Sequence, residues 1–332
     1  MRLFLALLIA LGVAGSHAAS FDCKAAGATQ EHFICNNPEL SRLDEAMAEA
    51  YRKHVAQLSD PARAAVRESQ RSWLAYWPRS CSTSVGKVEL GALQLACAVD
   101  SYRARLGALQ LRPPAEGLVA YRVSESQFAP PRERDGQPSR NQISYPQLEA
   151  TPGKPSPDWL PSLNAWLARD RSTWRSSLDN QSDGSLSVEL RRLTPEAAYA
   201  TERNEFYGHG AAHPMSWLSH HHFLLAQRRE LQAFDVFRDE SWKLQIGQRV
   251  LDDLQRRLRG DLQVAGLKEL IGIIEKPSSW SFATGKVEFH FNPYEVGPYA
   301  VGFVTVAIPA AALQRYLTPL GLRLISSAAT TR

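Results

Sequence analysis

All four cysteines of this 332-residue chain, Cys23, Cys35, Cys81 and Cys97, fall in its first third, directly behind an apolar leader. The leader, "MRLFLALLIALGVAGSHAAS", has a charged start at Met1 and Arg2, an unbroken apolar run from Leu3 to Ala14, and small residues around "SHA". That is the pattern of a secretory signal peptide, too short to span a bilayer comfortably. Cleavage is expected after Ala18, and with no cysteine at that point no lipid anchor is expected. No later apolar run approaches about 18 residues, so the exported part is expected not to be embedded in a membrane and to be periplasmic or secreted. An even set of cysteines in an oxidising compartment reads as two disulfides, for which three pairings exist. Cys23–Cys35 with Cys81–Cys97 is favoured, because each bond closes a short local loop. The rival reading, a metal site, lacks any CxxC spacing.

Removal of the leader leaves about 314 residues, enough for two domains of ordinary size. The exported part carries 37 basic and 34 acidic side chains, a net of +3 that is too weak and dispersed to argue for nucleic acid.

Residues 36–110 read as helical. Asn37 is placed as an N-cap with Pro38 in the first turn, and Leu40, Leu43, Met47, Tyr51, Val55 and Leu58 recur at spacings of three and four. A second helix is expected to start with Asp60 as cap and Pro61 at its first position, and to be stopped by Pro78. A third is expected from about Val88 to Leu109, which Cys81–Cys97 would staple to the second. Within this module residues 19–50 hold six acids against two bases, and residues 51–112 hold ten bases against four acids. The plain reading of that polarity is a solvated helix face with acids near helix N-termini; the functional one is a patch for a cationic partner.

Prolines in "RPPAEG" and "FAPPRERDGQPSR" mark a linker, with "LVAYRVSE" between them as a possible strand. The expected organisation is a signal peptide at 1–18, a disulfide-stapled helical module at 19–112, a Pro-rich linker at 113–140 and a second domain at 141–325. In that second domain Leu160, Leu163, Leu167, Trp174 and Leu178 mark a helix, and "SWKLQIGQRVLDDLQRRL" another. "GSLSVELRRL", "AYATERNEFYG", "SWLSHHHFLLAQ", "GKVEFHFNPYEV" and "FVTVAIP" read as strands. Strands with few helices between them predict an α+β fold built on an antiparallel sheet.

Local signatures of catalysis are absent: there is no GxSxG, no HExxH, no Gly-rich phosphate loop and no spare cysteine. No catalytic residue and no cofactor is assigned, and the expectation is a binding protein rather than an enzyme. Five of the nine histidines lie between His209 and His222, in "GHGAAHP" and "SHHHF". Exported proteins use such clusters for zinc or copper, but Gly208, Gly210 and Pro214 argue for a loop. On a strand His220 and His222 share a face that His221 does not. The plainer reading is a turn followed by a strand with polar surface residues, and no metal site is assigned.

Two stretches resemble known families. "FDCKAAGATQEHFICNNPELSRLDEAMAEAYRKH", "QRSWLAYWPRSC" and "ACAVDSYRARLGAL", over about residues 23–110, resemble the LprI lysozyme-inhibitor family. The shared pattern is a cysteine pair, "C-N-x-x-E-L-x-x-L-D", "Q-R-x-W-L" before a third cysteine, and a fourth before "Y-x-x-R". The resemblance implies the same two disulfides and a lysozyme partner. "AYWPRSC" departs from the family, which tends to show Arg followed by an acidic residue or Asn. Over about residues 140–320, "ISYPQLEA", "LNAWL", "GHGAAHP", "LQAFDVF" and "FHFNPYEVGPYAVGFVTVAIPAAALQRYL" are similar to the extracytoplasmic domain of the RsiV type, membrane-bound anti-sigma factors that sense lysozyme by binding it. Here His209 stands where that family's turn has a glycine, and Pro214 follows His213. No transmembrane helix or cytoplasmic segment of a sigma-factor regulator is present, so signalling of that kind does not carry over. Together the resemblances imply an exported protein that binds lysozyme or a related peptidoglycan hydrolase by occluding its cleft. Non-catalytic binding of peptidoglycan, or immunity against another cell-wall hydrolase, is the alternative.

The candidate partner-binding residues are in "FHFNPYEVGPYAVGF", residues 289–303. Proline restricts its own φ and the residue before it, so Pro293-Tyr294 and Pro298-Tyr299 form a stiff strand exit. A pre-ordered loop loses little entropy on binding, and tyrosine is favoured at interface hot spots. Tyr294, Tyr299 and Glu295 are expected to face a partner, with His209 and His213 of "GHGAAHP" as the other wall. The plainer reading is that the tyrosines cap the sheet.

Overall fold

A computed structural model describes residues 19–83, 88–129, 138–177 and 181–326. The expected leader and Leu178 lie outside the described residues.

The N-terminal module holds helices α1 (Thr29–Cys35), α2 (Pro38–Ala56), α3 (Asp60–Ser80) and α4 (Leu95–Leu109). Both disulfides pair as expected. Cys23–Cys35 ties the segment before α1 to its last residue, and Cys81–Cys97 ties the end of α3 to the start of α4. The expected face of α2 turns inward: Leu40, Met47 and Leu58 are buried with Trp73, Trp77, Ala98 and Tyr102. Trp73 and Trp77 meet Tyr102 edge-on, at ring centroid distances of 4.9 and 5.6 Å, a geometry that the ring quadrupoles favour.

Three boundaries differ from expectation. Ser59, not Asp60, is the cap of α3: its side chain accepts from the Ala62 amide. Pro78 does not stop α3, which runs on to Ser80; so near a C-terminus a proline removes little of the ladder. The third helix begins at Leu95, because residues 90–92 form a single 3-10 turn and Leu93 bridges to Ser82 instead. Several of the acids in residues 19–50 have local partners or are buried. Asp44 is buried, Glu31 accepts from the Gly27 and Ala28 amides before α1, Glu39 pairs with Arg103 and Glu49 with Lys53.

Strands β1 (Leu118–Ala129) and β2 (Ser139–Ala150) pair antiparallel along their whole length. Helices α5 (Leu160–Leu167) and α6 (Arg171–Ser177) follow, where one helix was expected. Then come β3 (Ser182–Leu193), β4 (Ala197–Gly208), β5 (Met215–Leu224) and the short β6 (Arg229–Glu230), in a six-stranded sheet ordered β1 to β6. The sheet is antiparallel except where Asn141–Ser144 runs parallel to Gly184–Ser187. That pair requires a crossover, which α5 and α6 supply. The α+β class therefore stands, and the possible strand expected within the 113–140 segment is β1.

Strand β1 is an edge strand, and α3 covers it. Ser69 and Ser72, one helical turn apart, accept hydrogen bonds at 2.9 Å from the amides of Ser124 and Ser126, two residues apart on the strand. Hydroxyls at helical spacing thus satisfy alternate edge amides, which would otherwise invite another chain. The Ser59 amide donates to Glu149 of β2, and Val119 and Tyr121 pack into the helical core.

Helices α7 (Ala233–Val236), α8 (Trp242–Leu258) and α9 (Leu267–Ile274) lead to a three-stranded antiparallel sheet of β7 (Trp280–Ala283), β8 (Lys286–Phe291) and β9 (Val304–Pro309). The chain continues into α10 (Ala310–Leu313) and α11 (Pro319–Ser326). Trp242, Ile246, Val250 and Leu254 of α8 are buried with Trp280, Phe289, Phe291, Val304 and Val306 of the small sheet. Leu163, Trp166 and Leu167 of α5 pack with Ile143, Leu186, Val188, Ala200 and Phe223 of the large one.

Candidate functional site

Phe289 and Phe291 are buried, as the alternation in β8 predicts. Past Phe291 the chain turns sharply. The Glu295 amide donates to Asn292 O (3.1 Å) and the Glu295 carboxylate accepts from the Asn292 amide (2.6 Å), closing residues 292–295 on themselves. Asn292 Oδ1 also accepts from the amide of Leu218 on β5 at 2.7 Å, which fixes the loop to the large sheet. Pro293 and Val296 are buried, and Tyr294 takes a φ of +72° while half exposed. A positive φ on a bulky residue stores strain and persists only where the surroundings enforce it. Gly297 is tightly packed: a Cβ there would lie 3.0 Å from Asp261 O. Pro298 then starts a single 3-10 turn over Tyr299–Val301.

The tyrosines meet one of the two expected histidines. The ring of His213 stacks on Tyr299 with centroids 3.9 Å apart, and the two tyrosine rings are 5.7 Å apart. Tyr299 Oη donates to Pro214 O (2.8 Å), and His213 Nδ1–H donates to the same carbonyl (3.0 Å). That leaves His213 Nε2 to accept from Tyr294 Oη at 3.3 Å. His209 is not part of this cluster: at the end of β4 its Nε2–H donates to Asp183 (3.2 Å). Glu295 is held by the Asn292 amide rather than standing free between the tyrosines. Sequence reading missed Phe303, 45% exposed, and Arg203, whose guanidinium lies 5.7 Å from that ring. Phe303 was legible only as the first residue of a strand, and Arg203 arrives from a distant hairpin.

On β5, His220 and His222 are core residues, not the polar surface expected. His220 and His222 share one face of β5 and are 4% and 2% exposed. His220 stacks on His290 of β8 at 3.8 Å, and Tyr199 Oη lies 2.7 Å from His220 Nδ1. His222 Nε2–H donates to Trp280 O at 3.1 Å. Burial drives His220 down to about 2 and His222 to about 3, and it lowers His290 as well. Rings stacked face to face cannot aim their lone pairs at a common point. Among the described residues no group of three or more His, Cys, Asp or Glu side chains is arranged to hold a metal ion.

Residues 22–109 match the family model described as "Lysozyme inhibitor LprI". The match spans nearly all of the helical module and includes the four disulfide-bonded cysteines. The module thus resembles LprI in sequence. Residues 235–311 match a second model, "Protein of unknown function (DUF3298)". That range lies inside the RsiV-like stretch and contains the 292–302 loop. Two solved structures of DUF3298 family proteins are similar to the chain. One, from Bacteroides fragilis NCTC 9343, is 14% identical, with 65% of this chain and 100% of that chain covered and a TM-score of 0.43. The other, from Pseudomonas aeruginosa PAO1, is 13% identical, with 61% and 95% covered and a TM-score of 0.44. No curated protein matches the chain. Among the described residues no helix is long and apolar enough to cross a membrane.

Proposed function

We propose that this protein is an exported lysozyme-binding inhibitor that acts by stoichiometric occlusion of a peptidoglycan hydrolase, without catalysis or a cofactor. The observation that carries the reading is the LprI match over residues 22–109, in a module whose helices are stapled by the two bonds its cysteine spacing implies. Disulfides of this kind persist in oxidising compartments, which favours the periplasm or the exterior. The second domain adds a candidate contact surface. Tyr294, Tyr299 and His213 form an aromatic surface on a loop that strain and hydrogen bonds hold in place, and Phe303, with Arg203 over its ring, is exposed just after that loop. A rigid aromatic loop suits an interface, because its side chains bring contact area at a small entropic cost. A contact of about 1,600 Å² in total would be enough for a stable complex.

The test is lysis of a bacterial suspension by chicken-type lysozyme with increasing amounts of the full chain. Loss of lysis that saturates at a fixed molar ratio is the expected result. Undiminished lysis at large excess removes the reading, and co-sedimentation with purified cell wall would then favour peptidoglycan binding.

A further inference from the structure

The large sheet carries a second cleft, on the face opposite Arg203. Residues two apart on β4 share a face, so Glu202, Asn204 and Phe206 point away from the tyrosine loop. Together with Asn141 of β2, Asp170 before α6 and Trp174 of α6 they line a cleft of about 190 Å³. Its polar wall is acidic. Arg169 pairs with Asp170 (3.1 Å) and Glu202 (3.0 Å), and Glu205 at the rim accepts from Ser185 (3.3 Å). Burial pushes Glu202 up to about 7, with Asp170 beside it adding to the rise.

The feature that marks the cleft as a site is Asn141. Its side chain is 3% exposed, and its Nδ2 has no hydrogen-bond partner. An unpaired buried amide donor costs about 1–3 kcal/mol and is rare in native structures. Gly184 keeps the space that this amide occupies, since a Cβ there would sit 2.9 Å from Asn141 Oδ1. The rest of the lining is matched to hydroxyls rather than to a charge. An anion would face three carboxylates. An ammonium or guanidinium would suit the carboxylates but present donors to the Asn141 donor. An apolar group would leave the Asn141 donor unpaired. A hydroxyl does both tasks: it accepts from Asn141 Nδ2 and donates to a carboxylate. The C–H face of a ring then has Phe206, 45% exposed, to rest on.

We propose that this cleft binds one neutral sugar ring. Its volume is below that of drug-sized pockets, which fits a single ring or the end of a glycan chain. The site is separate from the tyrosine loop, and the proposal does not rest on the inhibitor reading.

The test is a titration of the full chain with N-acetylglucosamine and with glucose, and separately with a chitin trisaccharide, by amide NMR. Acetylated arginine amide serves as the cationic control. The expected result is a saturable perturbation confined to Asn141, Gly184 and Asn204, at concentrations on the order of 0.1 M or below, where millimolar affinity saturates. Phe206→Ala, at an exposed position, should weaken it about tenfold, the loss of one stacking contact, with lysozyme inhibition unchanged. Tighter binding of the trisaccharide than of the single ring would assign a chain end as the ligand, and equal binding a free monosaccharide. No perturbation by any sugar, perturbation that Phe206→Ala leaves intact, or binding of the arginine amide alone would overturn the proposal.

Discussion

The His213 ring lies flat against Tyr299, 3.9 Å between centroids and 19° between planes, although the two residues come from different sheets' loops. This contact joins the glycine-histidine turn to the Pro-Tyr loop. Tyr294→Ala with Tyr299→Ala should weaken inhibition of lysozyme at least about tenfold, the effect of losing one or two interface anchors. The thermal transition should stay cooperative, since Phe289, Phe291 and Val296 form the underlying core. Unchanged inhibition by the folded double variant would make the loop purely structural.

Tyr294 alone separates stability from binding. Its φ of +72° is a conformation glycine adopts without strain. Tyr294→Gly should therefore gain about 1 kcal/mol in chemical denaturation while losing inhibition. A loss of stability would show that the ring's contacts with His213 and Tyr299 outweigh the backbone strain.

The bond between Cys81 and Cys97 spans 16 residues and joins two helices. Replacing both cysteines by alanine should cost about 3 kcal/mol, from the loop entropy restored to the unfolded chain. Urea unfolding of the full chain measures this directly, and a change below about 1 kcal/mol would mean that packing of Trp73, Trp77 and Tyr102 alone holds the helices.

Ser69→Ala with Ser72→Ala would leave the Ser124 and Ser126 amides at the sheet edge without acceptors. A cost of about 1–3 kcal/mol is expected for the buried Ser69 and less for the part-exposed Ser72. Hydrogen exchange at Ser124 and Ser126 should accelerate before exchange in the rest of the large sheet. Uniform acceleration would mean that the edge and the sheet open together.

Acid should destabilise the protein from about pH 6.5 downward. The reason is that His220, His222 and His290 are held below their ordinary range by burial. Below pH 6.5 the unfolded chain takes up protons that the folded chain refuses, so stability falls with pH, by roughly 1.4 kcal/mol per unit for each such histidine. Glu202 acts in the opposite sense: its folded value is raised to about 7, so falling pH restores stability between 7 and 4.5. Two strongly depressed histidines outweigh one carboxyl, and the loss should steepen below pH 4.5, where the offset ends. His220→Gln should flatten the slope by one proton in urea unfolding at pH 6, 5 and 4. A flat profile over that range would show that the imidazoles are hydrated in solution.

Much of the local structure was legible in the residues. The inward face of α2, the alternating strands β3, β8 and β9, and the short cysteine spacings all depend on neighbours a few positions apart. Ser59 and Asp60 are both good caps, and only the chain's entry angle chooses Ser59. Pro78 reads as a stop in the sequence, but a proline's cost depends on how much helix remains beyond it, and only two residues do.

The tertiary structure decided the rest. The sequence alone could place His213 in a glycine-containing loop, Tyr294 and Tyr299 on a stiff strand exit, and the four cysteines of the helical module in local pairs. It could not say that His213 joins the tyrosines while His209 turns to Asp183, since that depends on how the two sheets are stacked. The cleft is further from reach: Asn141, Asp170, Glu202 and Phe206 come from two strands and a helix start, and each looks like an ordinary surface residue in its own window. Side-chain alternation records which residues share a strand face, but not which strands become neighbours. That is set by packing between elements far apart in the chain, and it is this packing that buries the Asn141 amide without a partner.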